Sequence, residues 1–117
     1  MTEPVHKAIL TEELTFGIAR FRQALAVTPD YPDALNNLGY ALHQEGRYEE
    51  AATSYRRSLA LWTRVGDVEE QCFLLQNLGQ LHFDMGRLKD ALAYCRQALA
   101  IAPTQGDRAN ALGGIGL

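Results

Sequence analysis

Apolar residues recur along the chain with the spacing of amphipathic helices. Two successive stripes, spaced at three or four residues, are formed by Leu35, Leu38 and Leu42 and then by Ala51, Tyr55 and Leu59. This spacing places each stripe on one side of a helix, whereas a strand would alternate every second residue. The pattern predicts no strands, a remnant of a missing first helix at residues 3–10, and helices over residues 13–27, 32–44, 48–64, 68–84, 88–101 and 107–115.

Turn and capping residues set the predicted helix ends. Gly46 accepts the left-handed backbone conformation that closes a helix, so it ends the helix that begins at Pro32. Pro32 follows Asp30 and suits a first helical turn, where no amide donor is required. Asp67, followed three residues later by Glu70, has the spacing of a capping box. These signals predict short turns between successive helices.

One block of sequence occurs twice in the same register. The segment LNNLG at 35–39 returns as LQNLG at 75–79, and the segment GRY at 46–48 returns as GRL at 86–88. Half a unit precedes this pair and half a unit follows it. The evidence for the halves is shared spacing: Gly17, Phe21, Ala24 and Pro29 match Ala91, Cys95, Ala98 and Pro103, and Leu112-Gly113 follows Pro103 as Leu38-Gly39 follows Pro29. The chain is therefore built from repeats.

These shared positions resemble the tetratricopeptide repeat (TPR), in which small, aromatic and proline residues recur at fixed offsets in about 34 residues. The resemblance covers nearly the whole chain. It implies an all-α fold, an α-α superhelix that forms a right-handed solenoid of stacked antiparallel helix pairs. It divides a single domain, 1–117, into a partial repeat at about 1–31, repeats at 32–66 and 67–105, and a partial repeat at 106–117.

The chain departs from the family pattern in two ways. Leu35 and Leu75 replace the usual Trp, and Leu42 and His82 replace the usual Tyr. The two leucine–glycine pairs are 40 residues apart, so six extra residues fall around positions 63–67. The sequence leaves open whether this extension near Val65 is a spacer or a contact point.

Composition and charge narrow the classes of function. The 117 residues include 11 basic and 14 acidic side chains, for a net charge of −3, and 47% of the residues are hydrophobic. This balance excludes collagen-like and disordered chains and disfavours nucleic acid as a partner, because phosphate neutralisation requires a basic excess. We expect no leader before the first helix, and no apolar run approaches the ~18 residues that span a bilayer. With Cys72 and Cys95 expected to be reduced thiols, we expect a cytoplasmic protein without a membrane partner.

Candidate catalytic and metal-binding groups are isolated in the sequence. His6, His43 and His82 belong to no zinc-binding motif. His82 falls where the repeat packs an aromatic ring, which predicts a core histidine. The glycine-rich segment 113–116 follows no predicted strand and so lacks the setting of a phosphate-binding loop. We therefore expect a protein that is not an enzyme and holds no metal or cofactor.

The resemblance also implies a binding surface, because the first helices of TPR units line a concave groove that binds extended or helical peptides. Carried over by position, this groove is lined by Asn36, Asn37, Tyr40, His43, Gln44, Phe73, Gln76, Asn77, Gln80, Asp84, Asp107 and Asn110. Amides both donate and accept hydrogen bonds, so a row of them suits a peptide backbone. Asn37 and Asn77 occupy equivalent positions and resemble the asparagine ladder of members that hold extended peptides. The alternative is that these polar residues only keep an open groove soluble.

A second binding mode of the family is disfavoured. Members that bind the C-terminal carboxylate of chaperones use Lys and Arg in the groove, and the matching positions here hold Asn36, Tyr40, Asn77, Asp107 and Ala111. None of these supplies the positive charge that binds a carboxylate strongly. The basic residues fall mainly on second helices, which form the expected convex side: Arg56, Arg57, Arg64, Lys89 and Arg96.

The expected function is a protein–protein interaction module that binds a partner peptide or protein in the groove. Two alternatives stay open: a substrate-targeting segment of a larger enzyme or signalling protein, and a self-assembling structural protein. The self-assembly alternative rests on the chain ends, which are expected to interrupt repeat units without the polar cap that a solenoid needs. We expect a segment of a longer array, with self-association through uncapped terminal helices as the competing expectation.

Overall fold

The chain folds into five α-helices in the computed structural model, which describes the backbone of residues 3–102 and the side chains of residues 14–102. In chain order they are α1 (Glu3–Val27), α2 (Pro32–Gln44), α3 (Tyr48–Val65), α4 (Val68–Asp84) and α5 (Leu88–Ile101). No strand occurs within residues 3–102. The predicted bounds of α2, α4 and α5 are confirmed, and α3 is one residue longer than predicted. The helix predicted at 107–115 and the partial repeat 106–117 lie outside the described residues.

The prediction was wrong for the first helix. Instead of a remnant at 3–10 and a separate helix at 13–27, α1 continues without a break through 25 residues. The reason lies in the sequence, since neither glycine nor proline occurs between Val5 and Phe16 to end a helix there. One long helix therefore leads into the repeat that begins at Pro32.

The ends of the helices follow the predicted signals. Pro32 occupies the first turn of α2, and Gly46 follows α2 with a φ of 84°, a conformation that favours glycine. The Asp67 carboxylate accepts a hydrogen bond from the Glu70 amide at 3.1 Å and so caps α4. The Asp67 amide donates to the Trp62 carbonyl at 3.1 Å rather than to the Glu70 side chain. Only one half of the predicted capping box is therefore formed.

The six extra residues of the long repeat form helix rather than loop. Helix α3 has 18 residues against 14 in the equivalent α5, and α4 has 17 against 13 in the equivalent α2. The connection that precedes the first helix of a repeat shortens from residues 28–31 to residues 66–67. The extension therefore adds about one turn to each of two neighbouring helices, because a turn takes about 3.6 residues.

Each helix packs against the next one along the chain, and the core lies between them. The largest cluster of buried side chains comprises Ile18, Leu38, Ala41, Leu42, Ala51, Ala52, Tyr55, Leu74, Leu78 and Leu81. His82 is also buried: its Nδ1 donates to the Leu78 carbonyl at 2.8 Å, and its ring centroid lies 4.9 Å from that of Tyr94. The prediction of a core histidine is confirmed.

Two glycines allow the paired helices to cross closely. A Cβ atom on Gly39 would lie 2.7 Å from the ring of Tyr55, a distance that side chains do not tolerate. The same atom on Gly79 would lie 3.3 Å from the Cys95 sulfur. Helix α2 must therefore clear a buried tyrosine of α3, whereas α4 clears only a thiol of α5.

Side-chain contacts between alternate helices divide the fold into two layers. The Arg22–Glu50 ion pair, at 3.0 Å, joins α1 to α3. The Arg56 guanidinium donates to the Tyr94 hydroxyl at 3.4 Å and joins α3 to α5. Helices α2 and α4 are joined to each other by the contacts described below. One layer therefore consists of α1, α3 and α5, and the other consists of α2 and α4.

Candidate functional site

Every candidate residue whose side chain the structure describes lies on the layer of α2 and α4. Helix α2 contributes Asn36, Asn37, Tyr40, His43 and Gln44, and helix α4 contributes Phe73, Gln76, Asn77, Gln80 and Asp84. We call the surface formed by these residues the α2–α4 face. Asp107 and Asn110 lie outside the described residues. The sequence prediction therefore assigned the described candidates to one pair of neighbouring helices.

A hydrogen bond between two amides joins the helices of this face. Asn77 Nδ2 donates to Asn36 Oδ1 at 3.0 Å, and both side chains are partly buried. If either amide were removed, the other would stay partly buried without its hydrogen-bond partner, which lowers stability. The bond therefore favours the observed spacing of α2 and α4.

Two helical turns further along, an imidazole and a carboxylate form a second contact between α2 and α4. His43 Nε2 donates to Asp84 Oδ2 at 2.6 Å, since an ionised carboxylate can only accept. Gln80 Nε2 donates to the other oxygen, Asp84 Oδ1, at 3.0 Å. The His43 ring also meets the Tyr48 ring edge-on, with centroids 5.7 Å apart. The Asp84 carboxylate is thus held by donors from both helices.

The structure pairs different asparagines from those that occupy equivalent repeat positions. Asn37 and Asn77 are equivalent, yet Asn77 binds Asn36, and Asn37 is exposed. Both contacts between α2 and α4 span 41 residues, one more than the repeat length. The sequence signal for them is a shared seven-residue spacing, from Asn36 to His43 and from Asn77 to Asp84, which places each pair on one side of its helix.

The rest of the α2–α4 face includes amides and aromatic rings that are open to solvent. The amides of Asn37, Gln44 and Gln80 are exposed. The rings of Tyr40 and Phe73 are 57% and 49% exposed. Aromatic residues are enriched at protein interfaces because they bury a large area with little loss of conformational freedom. The face therefore offers apolar area together with hydrogen-bonding groups.

One exposed ring on this layer was missed by the sequence analysis. Phe83 is 59% exposed and lies 40 residues after His43, at the equivalent position of the next repeat. That equivalence was the available signal, because His43 was already a predicted site residue. Phe83 therefore extends the apolar part of the layer towards the C-terminal end of α4.

Both cysteines lie where α4 packs against α5. Cys72 is buried, and its Sγ donates to the Ala98 carbonyl at 3.6 Å. Cys95 is partly buried, with its sulfur beside Gly79.

Within the part of the chain that the structure describes, no three His, Cys, Asp or Glu side chains converge as metal ligands. None of the described helices is long and apolar enough to cross a bilayer.

Comparison with known proteins agrees with the family resemblance that the sequence shows. The family model of the tetratricopeptide repeat matches residues 30–104. Over 82 residues the chain is 32% identical to the human mitochondrial import receptor subunit TOM34, a match that covers 66% of this chain and 26% of the relative. Over 98 residues it is 30% identical to the human cell division cycle protein 16 homolog, with 81% and 16% covered. The chain thus spans about a quarter or less of these relatives.

The fold has a counterpart among solved structures. The N-terminal domain of stress-induced protein-1 (STI-1) from C. elegans matches with a TM-score of 0.68, covering 81% of this chain and 76% of that chain. The sequences are 11% identical, so the match concerns the fold alone. It confirms the predicted all-α superhelix of stacked helix pairs.

Proposed function

The chain belongs to the tetratricopeptide repeat family, and we propose that it is a non-catalytic interaction module whose α2–α4 face binds a segment of a partner protein. In the family's fold the first helices of successive repeats line the concave side, so this face would form the groove. The supporting observation is the exposure of Tyr40 and Phe73 beside solvent-exposed amides on two helices that are joined to each other. Under this proposal the protein holds no cofactor and is located in the cytoplasm.

The proposed mechanism is binding to a preorganised surface. The Asn36–Asn77 and His43–Asp84 contacts hold α2 and α4 in place before a partner arrives. The partner segment then bears most of the entropic cost of ordering. Asn77 keeps one N–H and its carbonyl oxygen for a ligand, because a primary amide has two donors and an acceptor. With the exposed Asn37, it would contact the backbone of an extended peptide, as in an asparagine ladder.

A second candidate is a substrate-targeting segment of a larger enzyme or signalling protein. It is favoured by the coverage of the relatives, since the matched region makes up 26% and 16% of their lengths. In that case the α2–α4 face would select the substrate for chemistry elsewhere in the larger protein. A catalytic domain in the same reading frame would decide for this candidate.

A third candidate is self-assembly through the exposed side of α5. It is favoured by two exposed leucines of α5, Leu88 at 57% and Leu92 at 55%. A head-to-tail contact through such a face would grow with concentration. Sedimentation that is independent of concentration would exclude it.

A pair of variants tests the proposed function. Tyr40→Ala combined with Phe73→Ala removes two exposed rings from the α2–α4 face, and Phe16→Ala removes a ring of α1 that is 64% exposed. Peptides selected by display against the intact chain are expected to lose about tenfold or more in affinity for the double variant, because aromatic residues carry much of the binding energy at interfaces. Affinity for Phe16→Ala should not change. Equal affinity for the two variants would show that peptides bind elsewhere.

A further inference from the structure

The layer of α2 and α4 carries fixed charge of one sign. Every Lys and Arg of residues 3–102 lies on α1, α3 or α5 or in a turn, and none lies on α2 or α4. The same two helices hold the carboxylates of Asp33, Glu69, Glu70 and Asp84. A surface with charge of one sign attracts ligands of the opposite sign over distances beyond direct contact. The α2–α4 layer therefore presents a negative potential to a partner.

The first-turn carboxylates of α3 differ in their partners from the first-turn carboxylates of α2 and α4. Those in the first turn of α3 are matched by arginines, in the pairs Arg22–Glu50 at 3.0 Å, Arg47–Glu50 at 2.7 Å and Arg87–Glu49 at 2.9 Å. In contrast, no basic side chain of the described residues pairs with Asp33, Glu69 or Glu70. The first-turn negative charge of α2 and α4 is thus available to a ligand, whereas that of α3 is already paired with arginines.

Glu70 shows that like charges meet between the two helices. Burial raises the pKa of the Glu70 carboxyl, and the charges of Asp67, Asp33 and Glu69 raise it further. Asp33 belongs to α2, whereas the other three lie at the start of α4. A positive group bound beside these carboxylates would relieve their repulsion.

The exposed rings add a second preference to the same layer. Tyr40 and Phe73 present ring surfaces that pack against apolar side chains. The face of an aromatic ring also attracts a Lys or Arg side chain within about 6 Å of its centre. A ligand with both basic and apolar side chains would use both features, and an acidic ligand would be repelled.

Resting on the proposed function, we propose that the α2–α4 face selects a basic segment of the partner protein, in which Lys or Arg residues are interspersed with apolar residues. Its basic side chains bind the carboxylates of Asp33 and Glu69, and its apolar side chains contact Tyr40 and Phe73. Opposite charge steers the encounter, so both the association rate and the affinity fall as salt is added.

Panning a random linear-peptide display library on the intact chain tests this proposal. The selected pool is expected to carry net positive charge. Asp33→Asn combined with Glu69→Gln changes two exposed carboxylates that have no ion-pair partner, and it should weaken the selected peptides about fivefold or more at low salt. The matched control, Glu49→Gln combined with Asp90→Asn, removes the same charge from α3 and α5 and should weaken them by less than about twofold.

The outcomes separate this proposal from the proposed function. Neutral or acidic peptides that still lose affinity for Tyr40→Ala combined with Phe73→Ala would overturn the basic-segment proposal and leave the proposed function intact. Basic peptides whose affinity falls equally for the test variant and for the control variant would overturn it too. In that case the total charge of the protein, rather than the α2–α4 face, would select them. Peptides that are insensitive to the aromatic double variant would overturn the proposed function itself.

Discussion

Asn77 Nδ2 lies 3.0 Å from Asn36 Oδ1, so one pair of amides joins the first helices of two successive repeats. His43 and Asp84 repeat this contact two turns further along, with the same separation in sequence. In a stacked-repeat fold each unit contacts only its neighbours, so such contacts determine how one repeat lies on the next. They also place the exposed groups of α2 and α4 on one continuous face.

The two asparagines at equivalent repeat positions should differ in their effect on stability. Asn77→Ala leaves Asn36 without its partner, and we expect the free energy of unfolding to fall by about 1 kcal/mol. Asn37→Ala changes an exposed side chain and should alter it by less than about 0.5 kcal/mol. Urea denaturation of both variants measures the difference. An equal loss for the two variants would contradict the observed pairing.

Combining the two substitutions tests the predicted asparagine ladder separately. We expect Asn37→Ala with Asn77→Ala to weaken binding of a display-selected peptide, because both amides would contact its backbone. Helicity in circular dichroism should stay unchanged. Titration calorimetry that finds full affinity in the double variant would remove these amides from the binding surface.

The two crossing glycines provide a matched pair for packing. Gly39→Ala places a methyl group 2.7 Å from the Tyr55 ring and should lower the free energy of unfolding by about 2 kcal/mol or more. Gly79→Ala meets a sulfur at 3.3 Å, and the helix propensity of alanine, worth up to about 1 kcal/mol over glycine, offsets part of the strain. Thermal melts of both variants measure the contrast.

The tyrosine itself supplies the control for this contrast. In a Tyr55→Ala background the ring is gone, so adding Gly39→Ala should cost nothing further. A penalty that persists there would show that the close crossing does not explain the need for glycine.

Stability at alkaline pH should depend on Tyr55. Burial, and to a lesser extent the nearby Tyr40, raises the pKa of the Tyr55 phenol to about 12. An unfolded tyrosine titrates near pH 10, so the stabilisation is complete below about pH 10 and is lost as pH rises towards 12. Between these values we expect the parent to lose up to about 2 kcal/mol more than Tyr55→Phe, measured by guanidinium unfolding. Identical pH profiles would contradict this interpretation.

Much of the fold could be predicted because local signals and the repeat agree. The leucine stripe from Leu35 to Leu42, with Pro32 before it and Gly46 after it, predicted α2 to the residue. The continuity of α1 was missed because a broken repeat suggested a helix boundary where no residue ends a helix. The pairing of Asn77 with Asn36 was missed because it depends on how one repeat is displaced against the next. The periodicity within one helix places residues on a side of that helix but gives no information on this displacement.

Mapping the contacts of a bound peptide tests the central claim, that partners bind the layer of α2 and α4. The isotope-labelled chain is titrated with a display-selected peptide, and changes in its amide chemical shifts are followed by NMR. We expect the largest changes around Asn37, Tyr40, Phe73 and Gln80. Changes confined to exposed residues of α3 and α5, with these four unaffected, would contradict the account.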